Sequence, residues 1–223
     1  GVINMVTKDG GDRFEGSVNT YSGDHTTADP IYKNLSTYSP FNDHSISFNL
    51  NGPIIPKKLT FYSSARTNGS KGWLYGRQTF TMYGDTVNNN DLQYRAMNWN
   101  NSWSTQNKLT LRITSSTKLR LNTIFNSGVS QGYDHNRQMA QEGRKKYFNN
   151  GQFTGLSLSH SFTPMSFIEI NLSQYVHKNE SYLYEDPLDQ RYITPDSLFW
   201  AHIIGEVPEH IENEYGDGVN YFP

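Results

Sequence analysis

The chain has 223 residues, with 19 Lys and Arg against 21 Asp and Glu, a formal net charge of -2, no cysteine and 35% hydrophobic residues. That balance lacks the basic stripe of a nucleic-acid binder, and without cysteine the chain is not a disulfide scaffold. A mean hydropathy of -0.72, with no apolar run approaching ~18 residues, excludes a transmembrane helix but not membrane-spanning strands, whose alternation averages out to polar.

Gly1 to Lys8 forms a short β-run stopped by Asp9-Gly10-Gly11-Asp12, a strong turn cluster. A strand over about 13–23 follows, with Phe14, Val18 and Thr20 on one face and Glu15, Ser17 and Asn19 on the other. Further alternations of period two predict strands at about 43–53, 58–66, 107–114, 118–127, 153–163 and 166–177. They pair Ile46, Phe48 and Leu50 against Ser45, Ser47 and Asn49. Leu109, Leu111, Leu119, Leu121, Leu156, Leu158, Ile168, Ile170 and Leu172 recur in the same way. Arg66, Lys108, Arg112, Arg120, Glu15 and Glu169 fall on the opposite, polar face.

The connections are unequal. The turns at 53–58, 115–118 and 163–166 are tight, whereas those near 24–42, 67–106, 128–152 and beyond 185 are long and polar. Short turns at one end, long loops at the other, an apolar band outside and a polar lumen are the plan of outer-membrane β-barrels. The fold class expected is therefore all-β, an antiparallel transmembrane β-barrel. Seven strands fall short of the ~8 of the smallest barrels, so the chain is expected to be part of a larger one. The outer parts of the two largest loops are expected to continue as strands beyond the membrane. The 15 Tyr, 12 Phe and 4 Trp fit aromatic girdles at the membrane interfaces, and also a soluble β-protein or a sugar-binding surface. In the tail, Thr194-Pro195 through Gly205 reads as a capped helix over about 195–204.

Gly1-Val2-Ile3-Asn4-Met5-Val6-Thr7-Lys8, followed by Gly10-Gly11-Asp12-Arg13-Phe14-Glu15-Gly16-Ser17-Val18, closely resembles the last plug strand and first barrel strand of TonB-dependent outer-membrane receptors. Leu50-Asn51-Gly52-Pro53-Ile54-Ile55-Pro56-Lys57-Lys58-Leu59-Thr60-Phe61-Tyr62 resembles the large receptors of Bacteroidota, which often carry a carboxypeptidase-regulatory-like domain. Gly72-Trp73-Leu74-Tyr75-Gly76 and Ser181-Tyr182-Leu183-Tyr184-Glu185-Asp186-Pro187-Leu188-Asp189 are similar to the same group. The resemblance runs in order over about residues 1–195. It implies that residues 1–12 end a plug domain and that 13–223 begin its barrel, in the outer membrane of a Gram-negative bacterium with the loops extracellular. It also implies import of a bulky nutrient, energised by the TonB complex through a segment upstream, with outer-membrane lipid around the wall and an outer-leaflet lipoprotein or secretion-complex partner as a further possibility.

No Ser lies in a nucleophile-elbow motif, so no enzyme is expected, and no cofactor or catalytic residue is assigned. His202, Glu206, Glu209 and His210 have ligand-like chemistry, but Pro208 breaks any helix that would align them. Glu185, Asp186 and Asp189 read as a turn before a Ca²⁺ site, and Asp85 to Asp91 lacks the glycine and distal glutamate of a calcium loop. Substrate stacking is assigned to Trp73, Tyr75, Tyr83 and Trp99 around the largest loop. Two alternatives remain: a receptor-like barrel serving a secretion or surface-assembly complex, and a soluble extracellular glycan-binding β-sandwich.

Overall fold

The computed structural model describes residues 9–81, Thr86 and 94–192. It is all-β, with single 3₁₀ turns at His135–Arg137, Gln141–Gly143 and Gln190–Tyr192 as its helical content among the described residues. Nine strands form: β1 (Glu15–Gly23), β2 (Asp43–Ile55), β3 (Leu59–Ser70), β4 (Tyr75–Arg77), β5 (Tyr94–Ala96), β6 (Trp99–Arg112), β7 (Thr117–Gln131), β8 (Lys146–Thr163) and β9 (Ser166–Tyr182). Seven join one antiparallel sheet in the order β1-β2-β3-β6-β7-β8-β9, while β4 and β5 form a small separate ribbon. The large sheet is open, because β1 pairs with β2 alone and β9 with β8 alone. The predicted plug strand at 1–8 and the helix at about 195–204 lie outside the described residues.

The tight turns gather at one end of the sheet. Register rows run from Leu59 through Leu111, Leu119 and Leu158 to Ile170, just inside the turns after β2, β6 and β8. The first closes with the Lys58 amide donating to the Ile55 carbonyl at 3.0 Å, with Lys57 at φ 62. Connections 24–42, 71–98 and 132–145 leave from the other end, beside the pairs Gly23 with Asp43, Ser70 with Asn100 and Ser130 with Tyr147.

Directly opposed residues share a face, so the register divides the side chains. One face carries Val18, Ile46, Phe48, Leu50, Leu109, Leu111, Leu119, Leu121, Leu156, Ile168, Ile170 and Leu172, as alternation predicts. The other carries Glu15, Arg66, Lys108, Arg112, Arg120 and Glu169 among Ser and Asn. A polar row of Ser63, Asn107, Thr123, Thr154 and Gln174 crosses the apolar face. Within it the Ser63 hydroxyl donates to Asn107 Oδ1 at 2.7 Å, and Asn107 Nδ2 donates to Thr105.

Among the described residues no layer covers the apolar face. Ile46 is 47% and Leu172 66% exposed, and Leu35 and Met97, both at the loop end, are the only buried apolar residues among those described. The polar face is partly covered by the segment before β1. Asp9 pairs with Lys108, Asp12 Oδ1 accepts from Arg112 at 3.4 Å, and the Gly11 amide donates to Asn51 Oδ1 at 3.1 Å. Gly10 sits so close to the sheet that a Cβ there would meet the Phe61 carbonyl oxygen at 2.4 Å.

Several strand limits differ from the expectation. β3 runs on to Ser70, β6 starts at Trp99 rather than about 107, β8 starts at Lys146 rather than about 153, and β9 reaches Tyr182. The predicted continuation of the large loops as strands is thus observed. The cause is tertiary: each extension finds a hydrogen-bonded neighbour already in register, which outweighs weak local β-propensity. The ribbon β4–β5 has no alternating signal, and the sequence reading placed it in a loop.

Candidate functional site

At the loop end, the described residues of connections 24–42, 71–98 and 132–145 surround a cleft of about 860 Å³. From the large sheet, His44, Trp99, Asn101, Gln131 and Lys146 line it on the face that carries Ile46 and Leu121, and Ser70 on the other face, while Tyr75 and Tyr94 to Ala96 come from β4 and β5. The cleft therefore stands at the loop-end edge of the sheet, beyond the end of the apolar residues.

Arg144 organises this end. It is 4% exposed, and its guanidinium reaches the Gln141 carbonyl through Nε at 3.3 Å, the Met97 carbonyl, the Gly132 carbonyl at 2.7 Å and Gln131 Oε1 at 3.3 Å. Burial pulls the Arg144 pKa down, while Asp134 and Tyr133 oppose the shift. A guanidinium stays protonated in such a setting. The cation is thus solvated by backbone carbonyls of connections 71–98 and 132–145 and by the Gln131 side chain, which fastens connection 132–145 to the end of β7 and to Met97, just before β6. Trp99 joins the cluster by donating its indole N–H to Gln131 Oε1 at 3.0 Å.

Connection 24–42 is fixed through Asp24, which accepts from the Ser39 amide at 2.7 Å and from Asn42 at 3.0 Å. Burial raises its pKa, but the bonds to Asn42, Ser39 and His25 outweigh that and lower it. Gly72 turns the chain at the start of 71–98. It has φ +63, and a Cβ would stand 2.8 Å from Asn98 Oδ1, so glycine alone fits both the dihedral and the space.

Of the residues assigned to substrate stacking, Tyr75 and Trp99 line the cleft together. Trp73 lies outside it, edge-on to Tyr32 with ring centroids 5.8 Å apart. Tyr83 lies outside the described residues. Burial raises the Tyr75 pKa, so its hydroxyl remains a donor, and that buried hydroxyl has no partner. Gln141 Oε1 is likewise buried without one. The sequence reading missed Arg144, Gln131, Gln141 and Lys146, which come from the ends of two strands and from a loop with no motif.

A second depression, of about 610 Å³, lies on the polar face toward the loop end. Ser102, Ser104, Asn126, Asn149, Tyr147 and Asn179 surround Gly128, whose missing side chain opens the space. Its hydroxyl and amide groups stand beside Trp103, Val129, Phe148 and the Glu180 carboxylate, which is paired with Lys178 at 2.7 Å. The carboxylates at the end of β9 are committed to a turn: the Leu188 amide donates to Asp186 Oδ1 at 2.9 Å, and Asp189 is held by Arg191 at 2.6 Å. Among the described residues no cluster of three or more His, Asp or Glu is placed to hold a metal ion.

Compared with known proteins, the chain matches no family model, no curated protein and no solved structure.

Proposed function

We propose that this chain is the start of a plugged outer-membrane barrel of the TonB-dependent receptor type, which imports a bulky nutrient. One relationship carries the reading. The segment before β1 is pinned to the polar face through Asp9–Lys108 and Asp12–Arg112, while the described residues leave the apolar face bare. A barrel with a plug inside and lipid outside needs that division, because backbone and side-chain polar groups find no water in hydrocarbon.

The polar row supports it. Ser63, Asn107, Thr123, Thr154 and Gln174 stand at one level across β3, β6, β7, β8 and β9, next to the row of Phe61, Leu109, Leu121, Leu156 and Leu172. Asn107 within it is satisfied by Ser63 and Thr105, as a polar group on a lipid-facing wall must be.

A soluble sandwich would need a second sheet against Ile46, Leu121 and Leu172. Among the described residues the only other sheet is the two-stranded ribbon β4–β5. The accessory-barrel alternative shares the wall and differs in what the loops hold.

The test uses the full-length receptor in its own cells. Nutrient uptake is measured with the proton-motive force intact and collapsed, and after deletion of residues 190–210. Energy-dependent uptake supports import. Absence of the protein from the outer-membrane fraction overturns the reading, and unchanged uptake with loss of a co-purifying partner replaces it with the accessory alternative.

A further inference from the structure

We infer that the outer face of β7–β9 is an interface at which two copies of this chain meet inside the membrane, an inference that rests on the membrane reading above. It stands on an island of polar side chains at a depth where the wall around them is apolar.

The island consists of Thr123, Thr154 and Gln174, opposed in one register row, with Gln152 one row nearer the loops. Leu121, Leu156 and Leu172 bound it on the turn side, and on the loop side Gln152 itself lies between Phe125 and Val176. The depth follows from β9. Lys178, ion-paired to Glu180 at 2.7 Å, comes ten residues after Ile168 on the same face, and a spanning strand takes about 9–11 residues. Gln174 is four residues short of Lys178, ~13 Å along the strand, too far for its amide to reach the interface.

The other half of the row shows what such groups require. Ser63 donates to Asn107, and Asn107 donates to Thr105. Thr123, Thr154, Gln152 and Gln174 make no side-chain hydrogen bond among the described residues, and both glutamines are exposed. A polar group without a partner in hydrocarbon is costly. The island therefore favours a neighbour that brings hydrogen-bonding groups to this depth, and acyl chains bring none.

A second copy meets that requirement by symmetry. Copies in one membrane share an orientation, so a two-fold axis along the membrane normal relates them and keeps each residue at its own depth. The island of one copy then faces the island of the other. Glutamine amides and threonine hydroxyls both donate and accept, which makes the patch complementary to itself. It carries no charge, so it has no need of an oppositely charged partner.

The test uses the full-length receptor in its own outer membrane and, purified, in phosphatidylcholine vesicles. This chain has no cysteine. Thr154→Cys places a thiol at the centre of the island, and Leu50→Cys places one in the same register row on β2, four strands away. Oxidation is expected to link the Thr154→Cys protein into a homodimer and to leave the Leu50→Cys and parent proteins monomeric. In vesicles, photobleaching-step counts over a series of lipid dilutions give the dimer affinity. Gln152→Leu/Gln174→Leu is expected to lower it roughly 30-fold, because each substitution is felt twice across the axis and hydrogen bonds between membrane segments are individually modest. Leucine suits a lipid-facing wall, so this variant keeps the fold, and at high dilution the copies part and the whole wall meets lipid. Equal cross-linking at positions 154 and 50 overturns the interface as mere collision. A cross-linked product of any other mass overturns the second copy as the occupant. No product at position 154, with unchanged affinity in the leucine variant, overturns the interface altogether. A protein that fails to insert refutes the membrane reading, whereas insertion as a monomer at every dilution refutes this inference alone.

Discussion

Gln131 and Arg144 bond reciprocally across the loop end: Gln131 Nε2 donates to the Arg144 carbonyl at 2.8 Å, and Arg144 Nη2 donates to Gln131 Oε1 at 3.3 Å. The pair closes connection 132–145 onto β7, and the other Arg144 bonds carry the closure to Met97, just before β6. Arg144→Met keeps the length of the stem and removes the donors. Hydrogen bonds to a charged group are each worth about 1.5–3 kcal/mol, and the carbonyls left behind regain water in part. The expected cost is about 2–4 kcal/mol of local opening. Hydrogen exchange should rise at residues 132–144 and at Met97 while the centres of β7 and β8 stay protected. Unchanged protection of the connection would show that Arg144 does not hold it.

The segment 9–12 depends on the small size of Gly10. Its neighbour there is backbone, the Phe61 carbonyl oxygen, which cannot swing aside. Gly10→Val should therefore lift the segment, at a cost of about 1–3 kcal/mol for overpacking. The Gly11 amide, held by Asn51 Oδ1 at 3.1 Å, reports the change through its exchange rate. Val at position 10 with an unchanged Gly11 amide would mean that the segment is not seated by this contact.

Asp189 titrates at about 2, held down chiefly by the Arg191 side chain and then by the Arg191 amide. A carboxylate lowered in the folded state adds stability above its ordinary pKa near 3.8, and that contribution disappears as pH falls through about 2. Carbon-detected NMR of the Asp189 carboxyl should give a midpoint near 2. Arg191→Gln should return it toward 3.8 and release the Arg191 stacking over Tyr184, at 3.8 Å from the ring centroid. A midpoint indifferent to that substitution would remove the ion pair as its cause.

The strand centres, the facing of Glu15, Arg66, Lys108, Arg112, Arg120 and Glu169, and the gathering of tight turns at one end were legible because each depends on period two or on turn chemistry within a few residues. Strand ends were not. Trp99 to Ser104 carries Asn and Ser between its two tryptophans and joins the sheet because β3 and β7 offer paired neighbours. Half of the stacking group was brought together at the cleft, Tyr75 and Trp99, since aromatic content marks exposed surface without giving its position. Arg144 was illegible for a different reason. In Gly143-Arg144-Lys145-Lys146 it looks like one more solvated cation, and its burial arises from carbonyls contributed by Met97, Gly132 and Gln141.

Leu172 and Ser173 are neighbours on β9 that face opposite ways, which makes them a sharp test of the wall. Leu172 stands in the row of Leu109, Leu121 and Leu156, inside the apolar band. Ser173 stands opposite Gly155 on the polar face, where a long side chain has room. Arginine on the lipid side costs up to about 2–4 kcal/mol, less toward the interfaces, whereas a lumen-side arginine is tolerated. In the full-length protein, denaturant titration of folding into vesicles should show that loss for Leu172→Arg and a change within about 0.5 kcal/mol for Ser173→Arg. In water-soluble form both positions are exposed, and the two substitutions would cost about the same. Equal effects in vesicles would therefore mean that Leu172 does not meet lipid, and the outer-wall assignment of the whole apolar face would fall with it.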